Sequence, residues 1–149
     1  MPNVIKDAIM DGNYEREARF AAMIAMIGAL FLLVGTLLHP MHEDPNMPAA
    51  AFKEYAADPN WVASHLTQLS GVFLMVASLV LLARRIAGGP AGAAVTLGAV
   101  SAAASLAVAA ALQAVDGIAL KVMVNTWQRP RGTKKTLFSI LYLLSDKSR

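Results

Sequence analysis

Three long apolar blocks, separated by polar segments, dominate the pattern of the chain. The first covers residues 20–38 without a charge, and the second covers residues 61–83. The third, residues 93–115, is mostly alanine with some glycine and serine. At about 1.5 Å per residue, each block makes a helix long enough to cross a hydrocarbon core of about 30 Å. The pattern therefore predicts an all-α fold, a transmembrane helical bundle of three spans, with residues 1–127 as its one domain.

The polar segments predict shorter surface elements. Residues 1–19 mix both charges, which predicts a solvated terminus, with a short interfacial helix as the alternative. Prolines break up the loop 39–60, where residues 49–57 can form about two turns of helix on the membrane surface. From Trp127 onward the composition becomes basic, so residues 128–149 predict a poorly ordered basic tail.

Small residues predict where the spans pack closely. Gly28 and Gly35 lie seven residues apart on the first span, so they share one helix face and allow a neighbour to approach. The alanine-rich third span predicts the most enclosed helix of the bundle, packed through its small faces. On that interpretation, Gly98→Leu is expected to disrupt packing.

Composition supports the membrane assignment and excludes several classes of protein. The chain is 56% hydrophobic and 15% charged, with a mean hydropathy of +0.50, whereas soluble domains carry about 25% charged residues. It has no cysteine, which excludes disulfides, Cys-ligated zinc and iron–sulfur clusters. Basic residues flank the apolar blocks without interleaved aromatic residues, so nucleic acid is not an expected partner. The expected partners are the lipid bilayer and either further copies of this chain or other membrane subunits.

Loop charge predicts the orientation in the membrane. Arg84 and Arg85 follow the second span without an acid nearby, whereas the loop 39–60 is acidic. Because positive charge marks the cytoplasmic side, the N-terminus is predicted to be cytoplasmic. The basic tail 128–149 then falls on the outer side, against the same rule. Either the tail folds back onto the interface, or the chain is truncated or frame-changed near Trp127.

Several motifs together resemble an uncharacterised family of bacterial multi-pass integral membrane proteins. They are His39-Pro40 with Asp44-Pro45, Phe52-x-x-Tyr55-Ala56, Trp61-Val62-x-Ser64-His65-x-x-Gln68, and Ala114-Val115-Asp116-Gly117-Ile118-Ala119-Leu120-Lys121. The resemblance covers roughly residues 20–127 and implies a location in the bacterial plasma (inner) membrane. The family continues with further hydrophobic helices, from which this chain departs after Trp127. It has no established activity, so it implies nothing about mechanism.

Polar residues at one end of the three spans form the candidate site. They are His39, His65, Gln68, Gln113 and Asp116. The second and third spans each carry two of them three residues apart, on one helix face. The predicted topology brings all five to the outer leaflet, where His65 is expected to be coupled to Asp116. We call these five residues the polar cluster.

Two interpretations of the polar cluster remain open. The first is a hydrogen-bond clasp that ties the helices together. The second is a small ligand site for a divalent metal, haem, quinone or proton, since imidazole and carboxylate suit such metals and histidine suits haem. In that case His42, Glu43 and Asp44 are the predicted lid.

The sequence thus favours a non-catalytic multi-pass membrane protein, a subunit or accessory of a larger assembly, with no cofactor predicted. The alternative is a small redox, metal-binding or haem-binding membrane protein that uses the polar cluster. Five residues at the ends of the apolar blocks are interpreted as membrane anchors: Trp61, Arg84, Arg85, Lys121 and Trp127.

Overall fold

The computed structural model describes residues 2–87 and 90–129, with side chains from residue 14 onward, and this part of the chain is helical throughout its regular elements. The elements are α1 (Pro2–Leu37), α2 (Pro48–Ala57), α3 (Trp61–Ile86), α4 (Gly92–Gln113), a π-helical segment (Ala114–Leu120) and α5 (Lys121–Gln128). Three stretches are long and apolar enough to cross a membrane: Tyr14–Leu37, Trp61–Ile86 and Gly92–Gln128. The predicted fold class is therefore confirmed.

The bounds of the elements differ from the prediction at both ends of the chain. α1 begins at Pro2, so the segment predicted as a solvated terminus is helical. The third span does not stop at residue 115, because the helix runs through the π segment as one stretch of 37 residues, Gly92–Gln128. At about 1.5 Å per residue it measures about 55 Å, well beyond a hydrocarbon core of about 30 Å. Of the predicted tail 128–149, all but the first two residues lie outside the described residues.

α1 and α3 pack antiparallel along a seam of small residues. A Cβ added to Gly28 would lie 2.9 Å from the carbonyl oxygen of Gly71, and one added to Gly35 would lie 2.8 Å from that of Ser64. Both distances are shorter than real Cβ atoms show, so only glycine permits the backbones to approach this closely. The predicted close approach at Gly28 and Gly35 is therefore confirmed.

The same seam continues away from the polar cluster in steps of seven residues on both helices. One step along, Ser78 Oγ donates a hydrogen bond of 2.8 Å to the carbonyl oxygen of Ala21. A further step along, the Arg85 guanidinium lies 5.4 Å from the centre of the Tyr14 ring, within the range of a cation–π contact. A repeat of seven keeps one face of each helix turned to its partner over four successive contacts.

The central helix is α3, with α1 packed on one side and α4 on the other. α4 buries no residue, whereas α3 buries four. A Cβ at Gly98 would meet no atom within 4 Å. The expectation that the alanine-rich span is the most enclosed is therefore wrong. α4 packs against α3, whereas the seam of close backbone approach at Gly28, Gly35 and Gly71 lies between α1 and α3.

α2 rests on α5 at the end of the molecule that carries the polar cluster. The contact buries Ala51 and Val124 almost completely, and the Phe52 ring meets the edge of the Trp127 ring at 5.8 Å. The predicted helix at residues 49–57 is confirmed, with Pro48 near its start, where a missing N–H has no helical partner to lose. Its location on the membrane surface stays a prediction. This packing of α5 against α2 explains why the helical stretch Gly92–Gln128 continues beyond residue 115.

Candidate functional site

The structure brings the five residues of the polar cluster together. His65 Nε2 lies 3.2 Å from Asp116 Oδ2, and Gln113 Nε2 donates a hydrogen bond of 3.3 Å to Gln68 Oε1. The His39 ring centre lies 5.1 Å from that of His65. His65 and Gln68 are three residues apart on α3, and Gln113 and Asp116 are three residues apart where α4 meets the π segment. The two polar contacts therefore lie about one helical turn apart. They join α3 to the end of α4 and to the π segment.

His65 is buried, with 3% of its surface exposed. Its Nδ1 lies 2.7 Å from the carbonyl oxygen of Trp61 and 3.3 Å from Ser64 Oγ. One face of the side chain packs against Gly117, where an added Cβ would lie only 2.7 Å from the Cβ of His65. Gly117 therefore permits the π segment to approach α3 closely enough for Asp116 to reach the imidazole.

Trp61 stacks into the same cluster. Its side chain is 1% exposed, and its indole N–H donates a hydrogen bond of 3.0 Å to the carbonyl oxygen of Asp116. Its ring centre lies 4.7 Å from that of His65, one turn further along α3, and 4.9 Å from that of His39. The prediction that Trp61 is a membrane anchor is wrong, because a buried indole cannot face lipid headgroups.

Tyr55 is a member of the site that sequence reasoning did not assign a role. Its ring lies 4.5 Å from the Trp61 ring, so α2 covers the aromatic side of the cluster. Burial raises the pKa of the Tyr55 phenol above its ordinary value, and the Glu54 and Asp116 carboxylates raise it further. The phenol is therefore neutral at any physiological pH. The sequence signal for this role was the pattern Phe52-x-x-Tyr55, which places Tyr55 on the apolar side of α2.

Lys121 caps α2, a role that the sequence did not predict, and its role as a membrane anchor stays a prediction. Its Nζ donates three hydrogen bonds of 2.7–3.0 Å to carbonyl oxygens at the end of that helix, those of Tyr55, Ala56 and Asp58. All three ammonium protons are thus satisfied. A cation is stabilised there because the C-terminal end of a helix carries partial negative charge.

The other three predicted anchors have different surroundings. Arg84 and Arg85 lie in the last turn of α3, a favourable place for positive charge at the end of a helix. Trp127 is half-exposed and lies against Phe52. Their role as membrane anchors stays a prediction.

The predicted lid is tied to α2. The backbone N–H groups of His42 and Glu43 donate hydrogen bonds of 3.0 and 3.1 Å to the two carboxylate oxygens of Glu54. Asp44 Oδ1 accepts hydrogen bonds from both the backbone and the side chain of Asn46. His42 also lines a shallow pocket that His39 shares. The loop is thus held beside the polar cluster, and its role as a lid stays a prediction.

Metal or haem ligation was the alternative use of the polar cluster. Within residues 2–87 and 90–129, no group of three or more histidine, aspartate or glutamate side chains is placed to hold a metal ion. In this conformation both ring nitrogens of His65 already have protein partners. Metal or haem ligation by the polar cluster stays the alternative prediction.

Comparisons with known proteins give this chain no family: no family model, no curated protein and no solved structure matches it.

Proposed function

We propose that the chain is a non-catalytic multi-pass membrane protein, a subunit or accessory of a larger membrane assembly, in which the polar cluster is a structural clasp. The observation that carries this proposal is that imidazole, carboxylate and amide groups of the cluster contact one another and the backbone across neighbouring helices. One buried side-chain atom of the cluster, Gln113 Oε1, has no hydrogen-bond partner among the residues that the structure describes. His65 contacts the carbonyl of Trp61 and the carboxylate of Asp116. Gln68 contacts Gln113. Hydrogen bonds between side chains of neighbouring membrane helices hold those helices together.

α4 supplies the surface for assembly in this proposal. It buries no residue, and one of its faces carries the exposed small residues Ala94, Gly98, Ser101 and Ser105. Small faces let two membrane helices approach closely, as Gly28 and Gly71 do between α1 and α3. A helix of another subunit can pack on α4 in the same way.

Cysteine cross-linking in native membranes tests this assembly, since the chain has no cysteine of its own. Gly98→Cys and Ser101→Cys should each give a cross-linked product, either with a second copy or with another membrane protein. Met26→Cys is the matched control, because Met26 is 74% exposed on α1, the helix on the opposite side of α3. The absence of products from both α4 positions, or equal products from all three, would reject α4 as the docking helix.

Spectroscopy and metal analysis test the non-catalytic part of the proposal. Protein purified from membranes should show no haem absorbance and no stoichiometric metal. A haem Soret band or a bound metal that disappears in His65→Ala would replace the clasp with the metal-binding or haem-binding alternative.

The proposal places the protein in the plasma (inner) membrane of a bacterium with its N-terminus in the cytoplasm. Its support is the resemblance to the bacterial family, together with Arg84 and Arg85 on one side of α3 and the acidic loop 39–60 on the other. Single cysteines at Asn46 and Ala91 should then react with a membrane-impermeant thiol reagent from opposite sides. Reaction of both from the same side would reject the topology.

A further inference from the structure

The surroundings of His65 determine where its imidazole carries a proton. Nδ1 lies 2.7 Å from the carbonyl oxygen of Trp61, and a carbonyl can only accept. The hydroxyl of Ser64 donates to the same carbonyl oxygen at 2.8 Å, so it does not compete as a donor to Nδ1. Nδ1 therefore carries a hydrogen, and in the neutral imidazole Nε2 is left with a lone pair.

That lone pair points at Asp116. Nε2 lies 3.2 Å from Asp116 Oδ2, and an ionised carboxylate can only accept hydrogen bonds. Two acceptors at this distance repel each other unless a proton lies between them. We propose that His65 and Asp116 form a proton-binding site, which holds one proton between Nε2 and Oδ2 and thereby closes the π segment onto α3.

The proton balance of this step is simple. With the proton bound, the pair is an imidazolium beside a carboxylate and carries no net charge. Release of the proton to water leaves a neutral imidazole facing the carboxylate, and the hydrogen bond is lost. Asp116, whose side chain is 56% exposed, can then rotate into solvent, whereas His65 is 3% exposed and stays in place. Closing takes up one proton, so the closed state is favoured as the pH falls and lost as the pH rises.

Other titratable groups around the pair come from three elements. His39, which follows α1, has its ring 5.1 Å from that of His65. Tyr55, Glu54 and Asp58 belong to the end of α2, and Lys121 of α5 caps the same end. Burial and the neighbouring carboxylates raise the pKa of the Tyr55 phenol, so it stays neutral. His39 carries the imidazole beside the pair, so it needs a control of its own.

Trp61 reports the closing directly. It is buried, it stacks on His65 and its indole N–H bonds to the Asp116 carbonyl. The chain has two tryptophans, so Trp127→Phe leaves Trp61 as the sole indole fluorophore. If the π segment leaves α3, the Trp61 indole becomes hydrated and its emission shifts to longer wavelength.

The experiment compares Trp61 emission between about pH 5 and pH 9 in three proteins: the Trp127→Phe parent, the parent with Asp116→Asn and the parent with Asp116→Ala. The parent should shift to longer wavelength as the pH rises. In Asp116→Asn the amide N–H can donate to Nε2 without any extra proton, so emission should stay at the closed position across the range. In Asp116→Ala no bond forms, and emission should lie at the open position throughout.

Two results would overturn the proposal. One is a parent whose emission does not change between the ends of the pH range. The other is an Asp116→Asn variant with the same pH-dependent shift as the parent, because the shared proton would then not control the closing. His39→Gln in the parent is the control for the neighbouring imidazole, and the shift should persist. Its disappearance would assign the proton to His39 and reject the His65–Asp116 site.

Discussion

Replacing Gly71 by alanine tests whether the seam between α1 and α3 holds the fold together. A Cβ at position 71 would lie 2.7 Å from the Gly28 carbonyl oxygen, 2.7 Å from Leu32 Cγ and 2.8 Å from the Leu32 backbone nitrogen. Ordinary Cβ contacts lie at 3.4–4 Å, so the first of these falls short by about 0.7 Å. Two of the three neighbouring atoms are backbone, so α1 must move away from α3 along the seam.

The expected magnitude combines two opposing terms. Overpacking of a closely packed contact costs about 1–3 kcal/mol. Alanine in the interior of a helix is more favourable than glycine by about 0.5–1 kcal/mol. We therefore expect Gly71→Ala to lower the free energy of unfolding by up to about 2.5 kcal/mol.

Gly98→Ala is the matched control, because it makes the same chemical change inside another span. A Cβ at Gly98 meets no atom within 4 Å, so this variant keeps only the helix term and should be neutral or more stable by up to about 1 kcal/mol. Reversible unfolding by SDS in mixed micelles, followed by circular dichroism, measures both changes. Equal free energies for the two variants, within about 0.5 kcal/mol, would refute the packing argument.

Two further predictions concern the cluster end of the molecule. Lys121→Met removes three charged hydrogen bonds from the end of α2 and should lower the local opening free energy of residues 48–57 by on the order of 1–3 kcal/mol. Amide hydrogen exchange measures this opening free energy, and Lys53→Met, on the exposed side of α2, should leave it unchanged. In a double-mutant cycle at about pH 6, His65→Ala and Asp116→Ala should be non-additive by on the order of 0.6–1.5 kcal/mol, and strict additivity of the two unfolding free energies would reject the clasp.

Much of the architecture followed from patterns that are local in the chain. Run length identified the three spans, because a helix must be long enough to cross the bilayer and must satisfy its own backbone. Proline placement bounded α2, since proline is tolerated at the start of a helix and not inside it. The proximity of His65 to Asp116 also followed, because both residues lie at the same end of adjacent antiparallel helices.

The pairing of α1 with α3 has a sequence signal on both helices. Small residues repeat every seven positions on both helices: Ala21, Gly28 and Gly35 on α1, and Ser64, Gly71 and Ser78 on α3. The glycines of α1 alone predict a close approach, and only the matching series on α3 identifies the partner helix. Two such series in antiparallel order are sufficient to align the helices, since each small position faces another.

Tertiary structure alone decided which helix is central and where the polar and aromatic groups at the cluster end are directed. Alanine is compatible with burial and with lipid alike, so composition could not show that α4 lies on the outside of the α3 packing. Trp61 and Lys121 each have a membrane-interface interpretation in sequence. Their true partners, the Asp116 carbonyl and the end of α2, are 55 or more residues away along the chain. A side chain takes the partner that best satisfies its donors at close range, and only the folded arrangement of α2, α3 and the π segment brings those acceptors within reach.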